Sequence, residues 1–103
     1  MSALAQAAAR LQRALQQEAA AARQVALPAL HGLIEEKRQA LAALTEVLGQ
    51  AGAPQDEAER AALRTMMRAA EENAMVLGAV AGALEGLRER LRQDLQQAAD
   101  PGL

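Results

Sequence analysis

Residues 74–84, with the sequence AMVLGAVAGAL, carry no polar or charged side chain over eleven consecutive positions. On an α-helix such a segment is apolar on every side for about three turns. A surface helix normally keeps one polar face, whereas a helix that is apolar all round is buried all round. The rest of the chain predicts a hairpin, which covers only one side of each helix, so we expect a partner to cover the other side.

The side chains available for a core are small. The chain has 28 Ala and 16 Leu among 103 residues and contains no Phe, Tyr, Trp or Cys. Because Ala buries little area and no aromatic ring can anchor a core, we expect a thin apolar seam between helices. The prediction is a single all-α domain, a long antiparallel helical hairpin similar to a coiled coil, which a partner or a second copy could complete to a bundle.

The first helix is predicted to span about residues 3–48. Ser2 can cap its start, and apolar residues recur from Leu4 onward at steps of three and four, with only Lys37 breaking the stripe. From Leu27 onward a heptad register fits as well, which predicts a broad apolar face in this half of the helix.

Pro28 lies inside this pattern, where a proline removes a helical hydrogen bond and clashes with the preceding turn. Gly32 weakens the same region further. Because the apolar periodicity continues across Pro28, we expect a kink near residues 24–28, with a break into two helices as the alternative.

A turn at residues 49–53 is predicted to join the first helix to a second one over about residues 54–98. Gly49 suits a left-handed C-cap, Pro54 suits a first helical position, and acidic residues follow where the helix dipole favours them. Residues 100–102, Asp-Pro-Gly, should stop the second helix. A connection this short makes the helices antiparallel neighbours, so residue i should face about residue 103 − i.

The second helix has a heptad seam that should close the hairpin. Within the uncharged stretch, its members are Ala74, Leu77, Ala81 and Leu84. Apolar residues outside this seam are predicted to bind a partner, with the deformable methionine and the glycines forming the back of the binding strip. The predicted partner-binding residues are Met75, Val76, Gly78, Val80, Gly82, Ala83, Leu87 and Leu91.

Three polar residues occupy seam-like positions, namely Lys37, Asn73 and Arg88. Such residues often fix helix register and partner choice at a cost in stability. The alternative is that their side chains extend along the helix surface into solvent.

Nothing in the sequence indicates catalysis or a cofactor. His31 is the only histidine, no cysteine is present to form a metal site with it, and paired glutamates are typical of solvated helix faces. A net charge of −2 spread over both signs argues against nucleic-acid binding. No apolar stretch is long enough for a membrane span, and mixed charges without aromatic anchors argue against stable membrane insertion. We therefore expect a cytoplasmic binding protein and not an enzyme.

Two parts of the sequence resemble the FlgN-type flagellar export chaperones. Leu11, Leu15 and Glu18, followed by an apolar helix and then by residues 34–44 (IEEKRQALAAL), resemble the first long helix of that family. In that helix a leucine/glutamate stretch leads to a lysine that is followed by paired leucines. Residues 71–77 (EENAMVL) resemble the asparagine-bearing segment of the family's following helix.

This resemblance implies a small cytoplasmic chaperone that keeps the hook–filament junction subunits of the flagellum soluble and delivers them to the flagellar type III secretion apparatus. It also implies that the C-terminal helical part binds the client. The predicted mechanism is that an amphipathic client helix lays its apolar side on the exposed strip. The alternative is a structural coiled coil, in which a homodimer buries the same strip in a four-helix bundle.

Overall fold

A computed structural model describes residues 2–99, which form three helices: α1 (Ala3–Arg23), α2 (Leu27–Ala51) and α3 (Glu57–Ala99). The predicted all-α class is confirmed. Ser2 caps α1 as expected, with its Oγ accepting a hydrogen bond from the Ala5 amide at 3.1 Å. α1 packs against both other helices, antiparallel to α2 across a short turn and parallel to α3.

The first predicted helix breaks at residues 24–26, so the expected kink is wrong and the alternative of two helices is the observed one. Pro28 falls in the first turn of α2, where its missing amide hydrogen has no helical partner to lose. α1 therefore folds back along α2, and one long arm is replaced by a helical hairpin.

The break is a Schellman motif. The Ala26 amide donates to the Ala21 carbonyl at 2.9 Å, and the Val25 amide donates to the Ala22 carbonyl at 3.1 Å. This pair of bonds requires a left-handed residue just after the helix, a position that glycine usually occupies. Val25 occupies it here with a φ of 52°. A β-branched residue in this conformation is strained.

The loop between α2 and α3 differs in detail from the prediction. α2 continues through Gly49 and ends at Gly52, which adopts the left-handed φ of 74° that glycine tolerates. Pro54 lies in the loop and does not begin a helix. α3 starts after Asp56, whose carboxylate caps the helix by accepting the Glu59 amide at 2.8 Å.

The core lies where α1 contacts its two neighbours. The predicted stripe of α1 is buried from Leu4 to Ala22, and further alanines beside it, such as Ala5 and Ala14, are buried as well. Because alanine side chains are short, two helices can approach α1 from different sides. The main core cluster consists of Leu4, Ala8, Leu11, Leu15, Ala40, Leu44 and Ala69.

The backbones of α2 and α3 do not pack closely against each other. Within residues 2–99, no Cα atom of α2 comes within 8 Å of a Cα atom of α3. The predicted pairing of residue i with about residue 103 − i is therefore wrong. α1 lies between α2 and α3. The apolar faces of α2 and α3, which were expected to contact each other, therefore lie on opposite sides of α1.

The second half of α3 projects beyond the bundle. α1 ends at Arg23, level with the middle of α3, and the remaining 21 or so residues of α3 extend about 32 Å further. The residues predicted to close the hairpin are therefore exposed or half-buried: Ala74, Leu77, Ala81 and Leu84. The predicted helix stop at residues 100–102 lies outside the described residues.

Val25→Gly should stabilise the protein. The left-handed conformation costs an L-residue roughly 1–2 kcal/mol, and glycine adopts it freely. We expect the free energy of unfolding, measured by urea denaturation, to rise by about 1 kcal/mol. The matched control is Val76→Gly within α3, which should lower it by about 1 kcal/mol or more. If both variants lose stability equally, the left-handed turn is not formed in solution.

Candidate functional site

An apolar groove runs between α2 and α3, with α1 as its floor. Its volume is about 480 Å³, and it is open to solvent along its length. Two wall residues on α2, Ile34 and Leu41, are each about half exposed, at 52% and 53%. The residues that line it are Leu11 and Leu15 from α1, Ile34, Lys37, Arg38, Leu41 and Leu44 from α2, and Met66 and Ala70 from α3.

Both cationic side chains at the groove are held by carboxylates of the same chain. Arg38 pairs with Glu35 one turn earlier, with Nη2 to Oε1 at 2.6 Å. Hydrogen bonds from Arg38 and Gln39 lower the pKa of Glu35 to about 2, so this carboxylate stays charged well into acid. Lys37 turns inward to Glu18. The charges of Arg38 and Lys37 therefore lie at the edges of the groove, and the surface between them is apolar.

A buried polar network joins the three helices at the end of the groove. Glu18 of α1 is 1% exposed, and its Oε1 accepts hydrogen bonds from Lys37 Nζ at 2.9 Å and from Asn73 Nδ2 at 2.7 Å. Asn73 Nδ2 also donates to the Leu15 carbonyl at 3.0 Å. Each helix supplies one side chain, so the network fixes the height of α2 and α3 relative to α1.

Two of the three seam-like polar residues therefore have structural partners, since Lys37 and Asn73 both bind Glu18. A second ion pair, between Arg10 Nε and Glu36 Oε1 at 2.7 Å, also links α1 to α2, and the hydrogen bond from Arg10 lowers the pKa of Glu36. Arg88 lies on the projecting half of α3, exposed, 3.6 Å from Glu85 of the preceding turn. The side chain of Arg88 is therefore solvated, which was the alternative to a role in fixing helix register.

The second candidate surface is a row of apolar residues on the projecting half of α3, which we call the α3 stripe. In the bundle, Met66, Ala69 and Asn73 of α3 face α1. The same helical spacing continues beyond the end of α1 with large apolar side chains and nothing described packed on them. The α3 stripe consists of Leu77, Val80, Leu84, Leu87, Leu91 and Leu95.

The exposure of the α3 stripe increases along the helix. Leu77 and Val80 are half-buried, Leu84 is 48% exposed, and Leu95 is 70% exposed. A regular row of such exposed leucines is unusual, because exposed apolar residues in soluble proteins are usually scattered singly. The row has the spacing of a helix–helix interface that lacks its second helix.

The predicted partner-binding residues divide between two sides of α3. Val80, Leu87 and Leu91 belong to the α3 stripe, and Val76 and Ala83 lie at one edge of it, as the rotation of about 100° per residue requires. The predicted back of the strip lies on the opposite side of the helix, exposed to solvent, and its members are Met75, Gly78 and Gly82.

The glycines of α3 are not explained by packing within the chain. A side chain added at Gly78, Gly82 or Gly86 would meet no atom within 4 Å. Met75 on the same side is 74% exposed. The close helix approach expected at these residues is therefore absent from the described part of the chain, and the α3 stripe is the better-formed apolar surface.

The groove was not predicted from the sequence. Its signal was the pair of overlapping apolar registers in α2, which share Leu41 and Leu44 and of which the heptad adds Ile34. Leu44 packs against α1, whereas Ile34 and Leu41 lie on the groove wall. Two registers on one helix indicate two neighbours, and only one neighbour of α2 is present in the described chain.

The described residues contain no group of three or more His, Asp or Glu side chains that could hold a metal ion. His31 is exposed near the start of α2. None of the helices formed by residues 2–99 combines the length and the apolar character that crossing a membrane requires.

Comparison with known proteins gives no match, whether among protein-family models, curated proteins or solved structures. The function must therefore be inferred from the two apolar surfaces and the motif residues around them.

Lys37→Met should destabilise the protein by about 2 kcal/mol. It leaves the buried Glu18 carboxylate with Asn73 as its only side-chain partner, and breaking a buried ion pair costs several kcal/mol, less where one partner is partly exposed as Lys37 is. The control is Arg38→Met, which removes an exposed pair and should change the free energy of unfolding by less than about 0.5 kcal/mol.

The double variant Glu18→Leu/Lys37→Met should recover much of the stability lost in Lys37→Met, because it no longer buries an unpaired charge. Urea denaturation of the unmodified protein, Glu18→Leu, Lys37→Met and the double variant gives the coupling energy between Glu18 and Lys37. A single Lys37→Met variant as mild as Arg38→Met would contradict a structural role for the network.

Proposed function

We propose that this protein binds an amphipathic helix of a partner protein along the α3 stripe, and that it is a cytoplasmic export chaperone of the FlgN type. The observation that carries the binding function is the row of exposed leucines, 48% to 70% exposed from Leu84 to Leu95, that begins where α1 ends. A helix placed in line with α1 would cover this row as α1 covers the first half of α3.

The exposed leucines supply only part of the free energy that such binding needs, because association costs roughly 4–15 kcal/mol and the apolar side chains of the client must contribute the rest. Full burial of a leucine side chain contributes roughly 1.5–3 kcal/mol. Four leucines that are about half exposed therefore offer on the order of 4 kcal/mol before the cost of association, and the half-buried Val80 and Leu77 add to this. A helix-in-groove contact of this kind is a common mode of recognising amphipathic segments.

The arrangement of the motif residues supports the chaperone proposal. Leu11 and Leu15, the paired leucines of α2 and Ile34 all line one groove, although they come from distant parts of the chain. Lys37 and Asn73, one polar residue from each of the two later segments, both donate hydrogen bonds to Glu18 of the first. If the resemblance came only from leucine-rich and glutamate-rich composition, the motif residues would not be required to lie at one site.

In this role the protein would keep hook–filament junction subunits soluble before export. The apolar faces of the helices by which such subunits assemble would aggregate if left exposed in the cytoplasm. Covering one of them with the α3 stripe would prevent this, and release at the flagellar type III secretion apparatus would free the subunit for assembly. The C-terminal half of α3 would be the client-binding part.

Val80→Asp should abolish binding of a hook–filament junction subunit from the same organism, measured by isothermal titration calorimetry. A carboxylate in the middle of the α3 stripe would be desolvated by the client helix without a partner. The matched control is Met75→Asp, which places the same charge on the opposite side of α3 and should leave the dissociation constant within about threefold.

Circular dichroism should show equal helicity for both variants, because the substituted residues lie outside the bundle core. If Met75→Asp abolishes binding while Val80→Asp does not, the client binds the glycine-bearing side of α3. If the unmodified protein binds no junction subunit, the chaperone proposal fails.

A further inference from the structure

Two apolar surfaces lack a neighbour among the described residues 2–99, and both involve α3. The groove lies beside the first half of α3, and the α3 stripe lies on its second half. The α3 stripe cannot reach the groove of its own chain, because α3 is a continuous helix from Glu57 to Ala99. In a pair of antiparallel copies, the stripe of each copy can reach the groove of the other, so the same contact forms twice.

We infer that two copies of the chain form a reciprocal antiparallel dimer, in which the α3 stripe of each copy lies in the groove of the other. The two α3 helices would cross a two-fold axis near Val80. Residues 84–95 of one copy then lie at the height of residues 65–76 of the other. Those residues of α3 flank the groove and the buried network at its end.

The groove is shaped for a helix in this position. Leu11 and Leu15 of α1 form its floor and are already buried, so an incoming stripe would rest on this floor and make most of its contacts with the walls. Ile34 and Leu41 form one wall, and both become buried only when a fourth helix is added. Each end of the dimer would then be a four-helix bundle of α1, α2, α3 and the partner's α3.

The area of the contact reaches the lower limit for a specific dimer. The projecting half of α3 is about 32 Å long and about 10 Å wide, so covering a third of its side buries about 330 Å². The groove loses roughly half as much, because Ile34 and Leu41 are about half exposed whereas Leu11, Leu15 and Leu44 are already buried. With the contact made twice, the dimer buries roughly 1,000 Å² in total, the area that a specific protein–protein interface should at least reach.

Formation of this dimer requires no client, so it is tested on the protein alone. The expected mass from sedimentation equilibrium is twice the 10.8 kDa of one chain. Leu41→Asp in the groove and Leu91→Asp in the α3 stripe should each reduce the mass to that of a monomer. Both residues are about half exposed, so both variants should keep the helicity of the unmodified protein.

Mixing the two variants provides the decisive comparison. Leu41→Asp retains an intact α3 stripe and Leu91→Asp retains an intact groove, so the mixture can form one of the two contacts and should recover a heterodimer. Met75→Asp, on the opposite side of α3, should remain a dimer. A mixture that stays monomeric, or a Leu41→Asp variant that still dimerises, would overturn the reciprocal arrangement.

A second measurement does not depend on these variants. The chain has no cysteine, so a single spin label can be attached through Gln97→Cys. In the antiparallel dimer the two labels should lie about 50 Å apart, since each is about 17 residues from the two-fold axis. A distance of about 20 Å or less would indicate parallel α3 helices. A parallel arrangement, or a mass of 10.8 kDa throughout, would overturn the dimer inferred here without bearing on client binding.

Discussion

The packing of α1 between α2 and α3 is the contact on which the rest of the structure depends. α1 exposes one narrow polar face, with Arg13, Gln16 and Gln17 in solvent, and its buried alanines let a helix approach from each of two other sides. Because α1 occupies the middle, α2 and α3 are held apart and a groove is left above their common neighbour. Because α1 is short, α3 extends past it with its apolar side uncovered. Both candidate binding surfaces therefore follow from the position and the length of one helix.

The polar network at the end of the groove gives this packing its register. Alanine-rich helices can slide along each other with little loss of contact, since one small side chain resembles the next. Glu18 prevents such sliding, because its buried carboxylate needs Lys37 from α2 and Asn73 from α3 at one height. The network lies between the groove and the projecting half of α3, so the two apolar surfaces are fixed relative to each other.

The helical class and the stripe of α1 could be predicted from the sequence, because helix propensity and apolar periodicity are local properties. The break after α1 was predicted only as the alternative to a kink, since its left-handed position is occupied by Val25, a residue that signals neither a turn nor a helix end. With a kink preferred, the apolar residues of α2 were assigned to one interface, although Ala40 packs in the core and Ile34 lies on the open groove wall. The predicted partner-binding strip lies on the projecting half of α3, but periodicity alone did not separate Val80 from Met75, which lie on different sides of the helix.

The difference in length between α1 and α3 determines how much of the apolar surface of α3 is exposed, so a change in the length of α1 would change that surface. Adding one heptad to the end of α1 would extend its cover along α3 and shield Leu77 and Val80, while removing one would uncover Asn73. The size of the exposed surface can thus vary by insertion or deletion in the turn region, with no substitution in the surface itself. The length of α1 would then set the affinity for a partner, without any change in the residues of the α3 stripe.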